Sequence, residues 1–267
     1  MDTANDNATA QAPSSMKLPD VATITITTPF AWLSDAWNDM GKALWPSLFY
    51  GVVMAIASAL LAIATVFSGY SDWIMVLAGG FLLVAPMLAM GLYEAGRMIE
   101  TGHQPGLKDM LFVKGAFRQD LFYLGLALLL MYFFWGRMAQ LVYALSTFRK
   151  HDDVLQFFEF MAFTSEGHMM ALWGTLVGGV IAFIAYALVV ISAPMLLDRK
   201  TDVFVATITS VRSVTKNFIP MLVWAFIITG LTILGIVTGF LGLIIVFPWL
   251  GMASWRAYRT LVPEPGG

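Results

Sequence analysis

Residues 218–255 read FIPMLVWAFIITGLTILGIVTGFLGLIIVFPWLGMASW and contain no charged residue. One helix of this length would extend about 57 Å at 1.5 Å per residue, whereas the hydrocarbon core of a bilayer is about 30 Å thick. Gly235, Thr238 and Gly239, near the middle of the stretch, are residue types that favour a turn. The stretch therefore predicts two membrane-spanning helices joined by a turn.

Four further apolar stretches are each long enough to cross a bilayer, which takes about 20 residues. The composition agrees, because 59% of the 267 residues are hydrophobic and only 12% are charged, against about 25% charged in soluble domains. We therefore predict an all-α fold, a polytopic transmembrane helical bundle of about six spans. The predicted spans are 47–68, 73–97, 119–137, 169–197, 218–236 and 239–259.

The two ends of the chain differ from this membrane domain, which we place at 28–262. Residues 1–27 are polar and lack the basic start and apolar stretch of a signal peptide, so a disordered cytoplasmic tail is expected. Within it, 21–28 alternates apolar and polar residues, which suits a short strand or, preferably, an extended linker. Residues 263–267 are expected to form a short C-terminal tail.

Lys and Arg indicate the orientation, because they concentrate in cytoplasmic loops. They cluster between the second and third spans, between the fourth and fifth spans, and after the sixth. The links after the first and fifth spans contain neither residue. Six spans place this basic set on one side, so both termini are predicted to be cytoplasmic.

An amphipathic segment precedes each odd-numbered span, at 28–44, 107–117 and 203–214. In the first, Trp37 and Met40 belong to an apolar stripe, while Asp39 is expected to face away from it. Such segments predict interfacial helices. Together with the spans they suggest three repeated hairpins, although chance recurrence of apolar residues would give a similar pattern.

Proline recurs in each even-numbered span, at Pro86, Pro194 and Pro248. Proline removes a backbone hydrogen bond and kinks a helix. Three kinks would splay the cytoplasmic end of the bundle and shape a cavity facing lipid or a partner. The alternative is that the kinks are tolerated and have no functional role.

Few ionisable residues approach the membrane interior. Glu94 has Arg97 at i+3 on the same helix face, which suits an interfacial ion pair or, alternatively, a proton or cation site. Arg137 lies near the outer end of the third span, where it can reach phosphates or bind a substrate. Beyond it, the apolar segment 154–163 predicts an interfacial helix or a docking surface.

Motifs for chemistry are missing from the chain. Cysteine is absent and the three histidines lie outside the apolar stretches, so no catalytic, cofactor-binding or metal-binding residues are predicted. No zinc-protease, hydrolase or phosphate-loop motif is present. The net charge of −2 gives no reason to expect nucleic acid as a partner. We therefore expect a protein that is not an enzyme and needs no cofactor.

Several tracts resemble a proteobacterial family of integral membrane proteins, domain of unknown function 2189. The resemblance covers roughly 28–262 and rests on WPSLFYG (45–51), GLYE (91–94) with Arg97, APMLLDR (193–199), TGFLG (238–242) and WRAYR (255–259). It implies a multi-pass protein of the bacterial inner membrane with no established activity. Some members are labelled as cytochrome oxidase subunits, but Met252 and Arg256 stand where members often have histidine.

These observations predict an accessory, assembly or lipid-organising protein. Its expected partners are membrane lipids and, as a further option, other membrane proteins such as those of a respiratory complex. The alternative is a small-solute transporter or channel, which the kinked helices and Glu94 would suit.

Overall fold

A computed structural model describes residues 18–67, 73–147 and 154–264. Within these ranges the chain is helical and contains no strand, which confirms the predicted all-α class. In chain order the helices are α1 (Thr28–Lys42), α2 (Leu44–Phe67), α3 (Trp73–Leu88), α4 (Met90–Glu100), α5 (Leu107–Leu111), α6 (Gln119–Ser146), α7 (Val154–Phe163), α8 (Ser165–Val189), α9 (Ser192–Asp198), α10 (Val203–Lys216), α11 (Phe218–Val237) and α12 (Leu243–Leu261). A 3-10 turn (Lys114–Phe117) precedes α6.

Four helical stretches among the described residues are long and apolar enough to cross a membrane: α2, α6, α8 with α9, and α11. The pair α3 and α4 would make a fifth span, bent by 42°. The last helix, α12, is not among them, and its final turns carry Arg256 and Arg259. The transmembrane helical bundle is therefore confirmed, whereas the count of six spans is not.

The turn predicted inside the 218–255 stretch is present between α11 and α12. Gly239 has a φ of +68°, a conformation that costs glycine little. The hydroxyl of Thr238 donates to the Gly235 carbonyl and accepts from the Gly242 amide, both at 2.9 Å. These local bonds end α11 and set the start of α12.

Helix α12 lies at the centre of the molecule and packs against α1, α2, α4 and α11. Its Trp255, Tyr258 and Met252 are almost completely buried, as are Leu92 of α4 and Trp224 of α11. Burying aromatic side chains of this size contributes strongly to stability. The core therefore forms around the last helix of the chain.

Helix α1 is amphipathic as predicted, but its buried face differs from the predicted stripe. Trp32, Ala36 and Met40 pack into the core, whereas Trp37 is 49% exposed. Asp39, expected to face away, is only 2% exposed. That expectation is wrong because the partner of Asp39 comes from α12, far along the chain.

The proline-associated irregularities are compensated by neighbouring groups. At the break between α3 and α4, the Tyr50 hydroxyl donates to the Leu88 carbonyl at 2.6 Å. At the break between α8 and α9, the Ile191 amide donates to the Ser210 hydroxyl at 3.1 Å. Non-helical backbone at membrane depth is tolerated where protein groups satisfy it in this way.

Residues 18–25 form no helix or strand and are held against the ends of α10 and α12. The Ala22 amide donates to the Leu261 carbonyl at 2.9 Å, and Lys216 donates to the Val21 carbonyl at 2.6 Å. Asn217 bonds both neighbours of residue 23. The strand alternative at 21–28 is absent, and these hydrogen bonds fix part of the segment that was predicted to be a disordered tail. Residues 1–17 lie outside the described residues.

Candidate functional site

The ion pairs between different helices gather at one end of the bundle, called here the charged end, where α4, α9 and α12 terminate. Arg259 of α12 donates to Glu100 of α4 at 3.0 Å. Tyr258 donates to Asp198 of α9 at 2.6 Å and accepts from Arg199 at 2.8 Å. Because each acidic group has a donor from another helix, this network joins the three helix ends.

A second ion pair at the charged end is buried. The Asp39 side chain is 3% exposed, accepts from Arg256 Nε at 2.7 Å, and accepts from Lys42 at 3.0 Å. It connects α1 to α12 across more than 200 residues of sequence. A carboxylate this deeply buried needs such charged donors to stay ionised.

The predicted pair of Glu94 and Arg97 is present. Arg97 Nε donates to Glu94 Oε2 at 2.9 Å, and Arg97 Nη2 donates to Oε1 at 2.5 Å. The Arg97 side chain is 44% exposed. The geometry is that of an ion pair at the protein surface; a role in proton or cation binding stays a prediction.

The three prolines do not share one effect on the backbone. Pro86 lies three residues before the bend between α3 and α4, and Pro194 lies just after the break between α8 and α9. Pro248 lies inside the continuous helix α12. Large buried side chains fill the charged end. The cavity that was expected at that end is therefore not found among its described residues.

An apolar cavity of about 570 Å³ lies instead at the opposite end of the bundle, the cavity end, between α3, α6, α8 and α11. Small residues of α8 form one wall: Ala171, Gly174, Thr175, Gly178, Gly179 and Ala182. The cavity exists because these side chains leave the space that larger ones would fill. Segment 154–163, predicted as an interfacial helix, forms α7 and contributes Phe157 and Met161 to the lining.

One wall of this cavity is set by a tryptophan. Trp135 of α6 donates to the Val76 carbonyl at 3.1 Å, which fixes its ring between α3 and α8. A Cβ built on Gly178 would lie 2.6 Å from the ring, whereas one built on Gly179 would meet nothing within 4 Å. Gly178 is therefore needed for packing, and Gly179 faces open space.

Polar side chains also line the cavity, among them Thr232 and Gln140. Thr232 of α11 is 5% exposed and lines the cavity, and its hydroxyl makes no hydrogen bond to any residue that the structure describes. Gln140 of α6, also in the lining, accepts from Arg137 at 3.1 Å. Arg137 is exposed and has no ion pair with a carboxylate of the described chain.

Sequence reasoning found the parts of this site but not the site. The candidates named from the sequence include Arg137, which bonds to Gln140 of the lining, but no residue of the α8 wall. The feature of the sequence that indicates this cavity is the run of small residues along α8. Which of them meets a neighbouring helix and which faces a void depends on the position of Trp135.

Family comparison supports the membrane assignment. Residues 74–198 match the family described as "Predicted integral membrane protein (DUF2189)". The resemblance is thereby confirmed over α3 to α9, which include most of the cavity wall. No curated protein and no solved structure matches the chain.

Proposed function

We propose that this protein is a non-enzymatic, lipid-organising protein of the bacterial inner membrane, with both termini in the cytoplasm. The observation that carries the proposal is the apolar cavity at the cavity end, bordered by exposed residues of α8 and α11. If α6, α8 and α11 cross the bilayer as candidate spans, hydrocarbon surrounds this cavity. A cavity that is apolar and open to hydrocarbon suits a lipid chain better than a polar solute.

The surfaces of the candidate spans support the same function. Leu60, Phe67, Phe122 and Phe226 are each more than 60% exposed, and α2, α6 and α11 bury few of their residues. Lipid tails satisfy such surfaces without cost. The spans therefore present a large lipid-facing area relative to the compact core at the charged end.

The same geometry disfavours the transporter alternative. Past the cavity, α6 continues through Leu128, Leu124 and Leu121, and α8 continues through Ala185 and Val189, all of which are buried in the core. The cavity therefore closes toward the charged end. A solute would have to displace this core to cross.

Lipid analysis of the protein purified in mild detergent tests the proposal. We expect phospholipid to stay with the protein in a fixed molar ratio through size exclusion, detected by native mass spectrometry. A protein that loses all lipid at detergent concentrations that keep it folded would contradict the proposal. A protein partner recovered in the same preparation would instead support an accessory or assembly role.

Liposome flux measurements test the alternative. If the protein transports a small solute, solute flux should exceed that of empty liposomes and fall in Glu94→Gln. We expect no flux above the empty liposomes for either variant. A protein-dependent flux that the substitution abolishes would favour the transporter.

A further inference from the structure

We propose that the cavity binds one acyl chain of a phospholipid, whose phosphate contacts Arg137. This inference rests on the proposed lipid-organising function and specifies its ligand. It combines three observations: an apolar cavity lined by small residues, the hydroxyl-bearing Thr232 in its lining, and the guanidinium of Arg137 bonded to Gln140 of the lining.

The dimensions of the cavity suit a single chain. Along α8 its lining runs from Met170 to Ala182, which is about 18 Å at 1.5 Å per residue. Thr175 and Gly179 in this wall are exposed, so a chain can enter sideways from the bilayer. A straight apolar chain gains dispersion contacts with the glycine-lined wall that no protein side chain supplies.

The unpartnered hydroxyl of Thr232 points to a ligand with an acceptor. A hydroxyl that faces an apolar cavity without a hydrogen bond gains from an acceptor on a ligand, and hydrocarbon contains no water to supply one. The ester carbonyls of a phospholipid are acceptors directly adjacent to its acyl chains. Thr232 is therefore placed to bind the polar start of the chain.

Arg137 supplies the charge that a phosphate requires. Its bond to Gln140 uses one donor of the guanidinium, and a guanidinium has five. Arginine binds phosphate through paired donors, and from Arg137, nine residues before the end of α6, the long side chain can extend toward the headgroup layer. Gln140 orients Arg137 and also lines the cavity, so headgroup and chain sites are adjacent.

Photo-crosslinking with defined lipids tests the proposal in the full-length protein. The probes are phosphatidylglycerol with a diazirine near the end of one acyl chain and diacylglycerol with the same chain. We expect crosslinks to α8 and α11 within the cavity wall, and at least threefold more with the phospholipid. Labelling spread evenly over the exposed spans would overturn the proposal.

Two matched glycine variants separate binding in the cavity from general contact with lipid. Gly179→Phe places a ring in the cavity, whereas Gly230→Phe places one on α11 at another position where a Cβ meets nothing. We expect at least a fivefold loss of cavity labelling in the first and none in the second. Equal labelling in both would overturn the acyl-chain site.

Arg137→Gln and Thr232→Val test the polar contacts without filling the cavity. Arg137→Gln should make phospholipid and diacylglycerol label equally, and Thr232→Val should lower labelling by both. If neither changes labelling, the headgroup assignment is overturned. A different result would be that the wild type is a dimer without cavity labelling and that Gly179→Phe is a monomer. The small-residue wall would then pack against a second copy of the chain, and the proposal would fail.

These outcomes also distinguish this proposal from the broader function. If phospholipid co-purifies in a fixed ratio but the lipid probes do not label the cavity wall of the wild type, only the acyl-chain proposal is overturned. Absence of any retained phospholipid would contradict both.

Discussion

Asp39 is the residue whose surroundings differ most from its local sequence context. Its neighbours in α1 suggest a solvated position, yet its side chain is 3% exposed and contacts Arg256 of α12. Lys42, one turn later, is 58% exposed and provides a second cation. The buried carboxylate therefore fixes the position of α1 against the central helix.

Asp39→Asn should destabilise the protein by about 1–3 kcal/mol, because Arg256 loses its anionic partner in a partly buried site. The measurement is the apparent melting temperature in detergent at low and high salt. Glu94→Gln is the matched control, since its arginine is more exposed and such pairs contribute about 0–1 kcal/mol. Equal shifts for the two variants would show that burial adds nothing to the Asp39 pair.

At the scale of elements, α2 and α12 approach closely at a position set by a proline. Pro248 has no amide hydrogen, so the Ile244 carbonyl four residues earlier lacks its helical donor. A Cβ built on Gly51 of α2 would lie 2.1 Å from that carbonyl oxygen. The absence of a side chain at Gly51 lets α2 pack directly over the carbonyl that Pro248 leaves unbonded.

Gly51→Ala should therefore destabilise the helix pair by about 1–3 kcal/mol through overpacking against backbone, which cannot move aside as a side chain can. A lower apparent melting temperature would report the effect. Gly230→Ala, inside α11 where a Cβ meets nothing within 4 Å, should not destabilise the protein and should stabilise it by up to about 1 kcal/mol through helix propensity. A Gly51→Ala protein as stable as that control would contradict the close approach.

The whole molecule has two ends of different character. The charged end holds the compact core and the ion pairs between α1, α4, α9 and α12. The cavity end holds the apolar cavity between α3, α6, α8 and α11. If α12 crosses the bilayer, its two ends must lie on opposite faces of the membrane.

Cysteine labelling tests this arrangement against a background free of cysteine. Single variants Leu241→Cys, in the turn before α12, and Glu264→Cys, after it, are exposed positions. We expect a membrane-impermeant maleimide to label position 241 in intact cells and position 264 only after permeabilisation. Thr101→Cys should behave like position 264. Labelling of 241 and 264 from the same face would exclude α12 as a span.

Local features could be predicted from the sequence because their causes are local. The turn at Gly239 depends on a few adjacent residues, and the Glu94–Arg97 pair depends on helical spacing. An amphipathic segment followed by a span can also be recognised in the sequence, because each depends on a local pattern of apolar residues. The threefold repeat of this unit stays a prediction. The bend after Pro86 agrees with the proline rule, whereas α12 shows no break at Pro248.

Long apolar helices are predictable from the order of amino acids, because their length and lack of charge suit only hydrocarbon. The central position of α12, the burial of Asp39 and the cavity beside Gly179 become visible only in the folded molecule. Each of these depends on contacts between residues far apart in the chain. A helical pattern fixes which side chains share a face, but not which neighbour, or what empty space, that face meets.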